Sequence, residues 1–392
     1  MGDMLKENRR MLVYLVVSNF MLYFGFRIWQ AMFNNFAVEE LGVGPASIGW
    51  IQALREIPGL MGFLLGLVAL FLSEVRVMAL SIILLGVGSF LTGRATSTPF
   101  LLVSTVIMST GFHFFYPSNN AVILMTVEKK YAPKVLGQLS SLGAVAALAA
   151  TGVVYLLAER LGYRTLFMAV GGLVALGGLL LLPFDRGKGG LPPRRRVVLR
   201  RQYWLYYALA FLMGSRRHIF STFAIFLLVR EYGISVETTA TLFLINSLVS
   251  TYAYQLVGRL VGRLGERVML SIAYATLVFV FLGYAYVTSL TALYVLFFID
   301  NLMFGFNLAT TTYFQKIVVS QEEITSNLSV EQTINHIAAI VVPIAGGTVW
   351  EVFGSQAPFL AGVGIALVSF VLAQFIRTPS EGVTVAVAAG GE

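Results

Sequence analysis

Apolar residues run for about twenty positions or more at a time along this chain, and short polar clusters separate the runs. Twelve such runs cover 11–37, 46–72, 76–96, 99–127, 136–159, 164–183, 203–230, 237–262, 267–288, 290–318, 328–351 and 357–377. A helix rises about 1.5 Å per residue, so about 20 apolar residues cross the ~30 Å hydrocarbon core of a bilayer. Strands that cross membranes are shorter and alternate apolar with polar residues, so the pattern predicts helices. The first run has a basic flank but continues past Arg27 without a small-residue cleavage site, which reads as an uncleaved span. The fold class expected is all-α integral membrane, with twelve transmembrane helices.

Composition supports the pattern. Of the 392 residues, 57% are hydrophobic and only 12% charged, about half the charge of an ordinary soluble domain. Thirty-eight Gly and 30 Phe suit helices packed in lipid. A water-soluble enzyme, a disordered chain and a nucleic-acid-binding domain are excluded. With no cysteine, disulfides, thiolate metal sites and Cys nucleophiles are excluded as well. The three His show no ligand spacing, so no metal site and no cofactor are expected.

Charge sets the expected orientation through the excess of Lys and Arg in cytoplasmic loops. With the N-terminus inside, 19 basic residues fall on the inner side, including Lys6, Arg76, Lys129, Arg259, Lys316 and Arg377. Four fall outside (Arg94, Arg160, Arg164, Arg230) and four within spans (Arg27, Arg55, Arg216, Arg217). A cytoplasmic membrane protein with both termini in the cytoplasm is expected.

One long polar segment, DRGKGGLPPRRRVVLRRQ at 185–202, separates six spans from six. Its Gly, Pro and Arg content suits a solvated basic linker lying on anionic headgroups. The expected organisation is therefore 1–184, a six-helix bundle; 185–202, the linker; and 203–392, a second bundle with a short flexible tail from about 378. The halves resemble each other: ELGVGPASIG at Glu40 pairs with EYGISVETTA at Glu231, and RVMALSI at Arg76 with RVMLSI at Arg267. AERLGYRTLF at Ala158 likewise pairs with WEVFGSQAPF at Trp350. The offsets are 191, 191 and 192 residues, which argues for duplication of a six-span unit in one orientation.

With this layout the chain resembles the major facilitator superfamily over essentially its full length. The family signature, Gly-x-Leu-Ala-Asp-Arg-x-Gly-Arg-Lys/Arg, lies in the cytoplasmic loop between the second and third spans of a half. GRLVGRLGER at 258–267 follows it, with Gly258, Leu260, Arg263, Gly265 and Arg267 in register, Arg259 beside them and Gly262 where the family has Asp. The first-half loop, GLVALFLSEVR at 66–76, keeps little beyond Gly66 and Arg76. The resemblance implies two pseudo-symmetric six-helix bundles, alternating access, a small-molecule substrate, a proton or other coupling ion, and a signature loop that braces the outward-open state.

Charge at bilayer depth costs at least ~2.5–3.5 kcal/mol per residue, so such residues are functional candidates. Spans three, six, nine and twelve carry no ionisable residue away from their ends. In the resembled fold those are the outer supports, and the others surround the cavity. Arg27, Gln30 and Asn34 form a stripe on span one, and His113, Tyr116 and Asn120 another on span four. Asp300, Phe304, Asn307 and Thr311 follow helical spacing on span ten, and Glu331, Asn335 and His336 mark span eleven. Arg55 and Glu56 are neighbours and are expected to point apart; Arg216, Arg217 and His218 cannot all face one way. Pro117 is expected to break span four, and Pro343 with Gly346 and Gly347 to do likewise on span eleven.

The substrate-binding candidates are thus Arg27, Gln30, Asn34, Arg55, His113, Tyr116, Asn120, Arg216, Arg217, Asn307 and His336. Glu56, Asp300 and Glu331 are the proton-coupling candidates. If each buried acid neutralises one Arg, about two guanidinium groups stay uncompensated in low dielectric, and an anionic substrate would supply the missing charge. The function expected is a monomeric secondary transporter, proton-coupled and carrying an organic or inorganic anion. A multidrug carrier of amphiphiles is the alternative, and a membrane-embedded enzyme or a receptor is the alternative of another class. Clustered nucleophile and base, HExxH spacing and a phosphate loop are all missing from the sequence, which disfavours an enzyme and ATP-driven transport.

Overall fold

A computed structural model describes residues 9–64, 68, 71–127, 132–184, 199–319 and 321–377. Among them helices occupy the places of all twelve expected spans, and no strand occurs. Span one is Arg9–Asn35, ending in a wider π turn at Phe36–Glu40, and span two is Pro45–Leu60. Spans three and four are Glu74–Arg94 and Thr98–Thr126. Ala132–Leu181 is two helices, spans five and six, broken at Gly162 where φ is +76°. Span seven runs Trp204–Ile219, a π turn at Phe220–Ala224, then Ile225–Tyr232; span eight is Val236–Leu264 and span nine Glu266–Tyr286. Span ten is Leu290–Met303, a 3-10 turn at Phe304–Phe306, then Asn307–Ile317. Gln321–Phe353, apolar enough to cross a membrane over Val330–Phe353, and Ala357–Ala373 supply spans eleven and twelve. Eight stretches of the described residues are long and apolar enough to cross a membrane; one of them, Gly137–Phe184, spans two helices. The linker from 185 to 198 and the tail from 378 lie outside the described residues.

The duplication is written in the backbone. Gly42 (φ +60°) and Gly233 (φ +61°) sit 191 residues apart, and Gly162 (φ +76°) and Gly354 (φ +90°) sit 192 apart. A side chain is strained in that region, so each pair marks a turn that both halves need in the same place. The fifth such glycine, Gly265 (φ +79°), caps the start of span nine. At the equivalent place the first half has Ser73, in extended backbone, whose hydroxyl accepts from the Arg76 amide at 3.1 Å. The two halves start their third helix by different chemistry.

Three sequence expectations are corrected. Pro117 lies inside the continuous helix Thr98–Thr126, and Pro343 inside Gln321–Phe353, so neither breaks its helix. A proline removes one intrahelical hydrogen bond, a loss that neighbouring helices can absorb in a membrane bundle. The stripe from Asp300 to Thr311 does not keep one helical face, because the 3-10 turn at Phe304–Phe306 changes the rotation per residue.

The chain divides into two compact units, Met1–Pro193 with Ile225–Ile245, and Arg194–Ala224 with Asn246–Glu392. The first is packed on backbone contact: a Cβ on Gly88 would lie 2.2 Å from the Met108 amide nitrogen, and one on Gly86 2.3 Å from that of Ala175. Trp29, Phe33, Phe36, Phe115 and Phe167 fill its interior, Trp29 and Phe33 with ring centroids 4.4 Å apart. Asn19 donates to Asn119 at 2.9 Å, joining spans one and four. Asn35, wholly buried, donates to the Ile234 carbonyl at 2.8 Å and accepts from the Thr239 hydroxyl at 3.1 Å, which fastens Ile225–Ile245 to span one.

The second unit buries Tyr203, Tyr206, Phe223, Phe281 and Phe297. Phe223 fills the space opposite Gly346, where a Cβ would lie 2.4 Å from its ring. A polar ladder joins the beginnings of spans seven and eleven: Tyr203 donates to Glu323 at 2.7 Å, Tyr206 to Glu331 at 2.6 Å, and Tyr207 to Asn327. Arg200 closes it with a bidentate grip on Glu323. Arg200 and Tyr203 together hold the Glu323 carboxyl below the usual carboxylate range.

Candidate functional site

In the first unit the expected stripe on span one holds. Arg27 is half-buried and donates from Nη1 to Gln30 Oε1 at 2.9 Å, one turn along the same helix. Its guanidinium lies 6.0 Å from the Phe243 ring centroid. No carboxylate of the described residues reaches Arg27. Asn34 is 7% exposed, and its Oδ1 has no hydrogen-bond partner among the described residues. On span four Tyr116 packs edge-on to Tyr23, centroids 6.0 Å apart, and to Phe112 at 5.1 Å, while Asn120 is exposed. The polar group that span four turns inward is therefore Asn119, not Asn120.

Arg55 and Glu56 correct the sequence reading, for they do pair: Arg55 Nη2 donates to Glu56 Oε1 at 2.8 Å. Neighbouring Cβ atoms diverge by about 100° on a helix, but the long arginine stem curls the guanidinium back. Glu56 Oε2 faces His113 Nε2 at 3.5 Å. Ser109 gives its one hydroxyl hydrogen to the Arg55 carbonyl at 2.5 Å. His113 Nδ1 then donates to Ser109, whose oxygens lie 3.0 Å away, and Nε2 is the ring nitrogen that faces Glu56. Arg55, Glu56, His113 and Ser109 form one hydrogen-bonded chain, mostly shielded from solvent.

In the second unit Arg216 and Asp300 form the most buried ion pair. Nη1 donates to Oδ1 at 2.9 Å, with the side chains 3% and 0% exposed. The Phe304 ring lies 4.0 Å from the Arg216 guanidinium carbon. Arg217 is exposed and His218 buried, so the three adjacent basic groups do diverge as their spacing requires. Glu331 accepts from Tyr206, and its backbone carbonyl accepts from Asn335 Nδ2 at 3.2 Å. His336 is half-buried on the same helix, and Asn307 is exposed.

The signature loop has its own arrangement. Gly265 takes the positive φ that begins span nine, and Glu266, buried, pairs with Lys316 at 2.8 Å. Arg267 donates to the Gln374 side chain at 3.3 Å, while Arg259, Gly262 and Arg263 are exposed and Gly258 is half-buried. The model of the Major Facilitator Superfamily matches residues 15–323 and again 206–392. Together the two matches cover almost all of the chain. The chain belongs to the Major Facilitator Superfamily.

Solved structures agree on the fold. The nucleoside transporter NupG superposes with a TM-score of 0.77 at 17% identity, over 93% of this chain and 98% of that one. A bacterial homologue of the human lysosomal transporter Spinster, inward-facing and unoccupied, superposes at 0.73 and 16% identity, over 94% and 98%. At such identities the likeness speaks for the fold alone. No individual curated protein sequence matches the chain. As a member of this superfamily the chain is a multi-pass membrane transporter of small molecules, not an enzyme.

Several polar residues that the structure engages in this superfamily member are not among the candidates read from the sequence. The Tyr203, Tyr206 and Tyr207 ladder had a signal, since Glu323, Asn327 and Glu331 repeat at i, i+4 and i+8. Glu266 lay unmarked inside the signature, and Asn35 carried no periodic sign.

Proposed function

We propose that this carrier moves a small solute bearing a negative group, with transport coupled to protons, by alternating access across the cytoplasmic membrane. Arg27 carries the reading. Two other span arginines each have a carboxylate, Arg55 at 2.8 Å and Arg216 at 2.9 Å, whereas Arg27 has only the neutral Gln30 amide. A guanidinium left without a counter-charge at membrane depth favours an oxyanion, which its planar fork can grip with two hydrogen bonds. Arg217, being exposed, is a weaker substrate-binding candidate than Arg27. Glu56 with His113 supplies the coupling site, because a proton taken between them alters the charge of a mostly shielded cluster. Asp300 and Glu331, each already engaged, are secondary coupling candidates. The bundles 1–184 and 203–392 rock about the linker, both termini stay in the cytoplasm, and one chain suffices.

Aromatic rings near Arg27, Phe26 on Phe112 at 4.0 Å and Tyr116 on Phe112, favour a solute with an apolar or planar body. They also support the second reading, an amphiphile efflux carrier. Binding by Arg27→Gln separates the two. The anion carrier loses affinity for charged solutes, and the amphiphile carrier keeps its ligands. Unchanged affinity for charged solutes in Arg27→Gln overturns the anion reading.

A further inference from the structure

We propose that the neutrality of Gln30 sets charge selectivity: the amide holds the Arg27 guanidinium in place while leaving its charge unspent, so that an anion, and not a neutral or cationic solute, completes the site. The inference rests on the anion reading of Arg27 and adds the residue that sets its preference.

Three arginines that the sequence places within spans receive partners at nearly the same distance. Arg55 meets Glu56 at 2.8 Å, Arg216 meets Asp300 at 2.9 Å, and Arg27 meets Gln30 at 2.9 Å. The first two partners are acids and the third is an amide. Gln30 lies at i+3 from Arg27, where a glutamate would form an intrahelical ion pair. Glutamine offers the same reach and one carbonyl oxygen to the guanidinium, but no charge. It therefore fixes the direction of the fork, limiting the rotamer freedom that a long arginine would otherwise lose on binding. The remaining donors stay available, since Gln30 is the one hydrogen-bond partner of Arg27 among the described residues. Phe243 adds a ring face at 6.0 Å, which orients a cation without neutralising it. Asn34, a turn beyond Gln30, continues the uncharged lining of the same helix.

A single atom type thus separates an anion site from a self-neutralised one. Gln30→Glu keeps size and hydrogen bond but gives Arg27 an internal counter-ion and sets a carboxylate against any incoming anion. Gln30→Leu removes the bond yet leaves Arg27 uncompensated. The probes are matched pairs: uridine monophosphate with uridine, glucose 6-phosphate with glucose, and hippurate with its amide. Binding to purified full-length protein is measured by calorimetry, and folding of each variant by its thermal unfolding midpoint.

The native protein should prefer the charged member of at least one pair by tenfold or more. Gln30→Glu should lose that preference with an unfolding midpoint no lower than native, because a charge pair is formed rather than broken. Gln30→Leu should keep the preference with affinity weakened several-fold, since only positioning is lost. If Arg27→Gln abolishes the preference while Gln30→Glu retains it in full, the role of Gln30 is overturned and the anion reading stands. If Arg27→Gln retains the preference, or the native protein shows none for any pair, the anion reading itself fails. Should Gln30→Glu unfold, loss of preference in Gln30→Leu equal to that in Arg27→Gln overturns the selectivity role, because positioning alone then accounts for it.

Discussion

Replacing Asp300 by Asn should destabilise the second unit by about 3–5 kcal/mol, the usual cost of removing one partner from a buried ion pair. Asp300 is wholly buried and Arg216 is 2% exposed, so water cannot take over the lost charge. With the hydrogen bond at 2.9 Å, the charge centres lie roughly 4 Å apart, and at an effective dielectric of about 20 their attraction is about 4 kcal/mol. Asparagine keeps the volume and one acceptor for Nη1, so the loss isolates charge from shape. The Phe304 ring at 4.0 Å faces Arg216 before and after the change and cannot compensate. Arg216→Met with Asp300→Leu removes both charges and should return stability to within about 2 kcal/mol of native, since the desolvation of both ions is relieved. The assay is unfolding in mixed micelles with rising denaturing detergent, read by tryptophan fluorescence. A single variant as stable as native, or a double variant as weak as the single, refutes the reasoning.

Other outcomes follow from the same geometry. Gly265→Leu puts a side chain at φ +79° with no atom within 4 Å of its Cβ, so its cost is backbone strain of about 1–2 kcal/mol and not a clash; transport should slow more than binding weakens, while Gly262→Ala changes neither. Glu56→Gln and His113→Gln should each abolish accumulation driven by a pH gradient and leave solute exchange intact, measured in proteoliposomes. Glu323, held below the usual carboxylate range by Arg200 and Tyr203, adds stability that is present above the ordinary carboxylate value and is lost as pH falls through the depressed one. The gap in unfolding stability between native and Glu323→Gln should therefore close on acidification; a gap that widens would show that the carboxylate is not held this way.

Much of this architecture was legible in the sequence because lipid imposes a length on each helix and a penalty on each buried charge. The twelve runs and the offsets of 191 and 192 residues anticipated both helix positions and the paired turns at Gly42 with Gly233 and Gly162 with Gly354. Pairing was less legible. Helical spacing tells where Cβ atoms point, but Arg55 has a stem long enough to ignore it and reach Glu56. Regular spacing also fails where the helix itself changes pitch, as at Phe220–Ala224 and Phe304–Phe306, and this removed Asn307 from the face of Asp300. That Arg216, and not Arg217, meets Asp300 depended on rotation about span seven, which apolar periodicity in so hydrophobic a helix does not fix.

The central claim is that a proton gradient drives an anionic solute past Arg27. The direct measurement is uptake by proteoliposomes of the charged and uncharged members of each matched pair under an imposed pH gradient of either sign, with native protein and with Arg27→Gln. The account predicts gradient-dependent accumulation of a charged member by the native protein, none of its uncharged counterpart, and none of either by Arg27→Gln. Accumulation that ignores the gradient, or that Arg27→Gln sustains at the native rate, contradicts it.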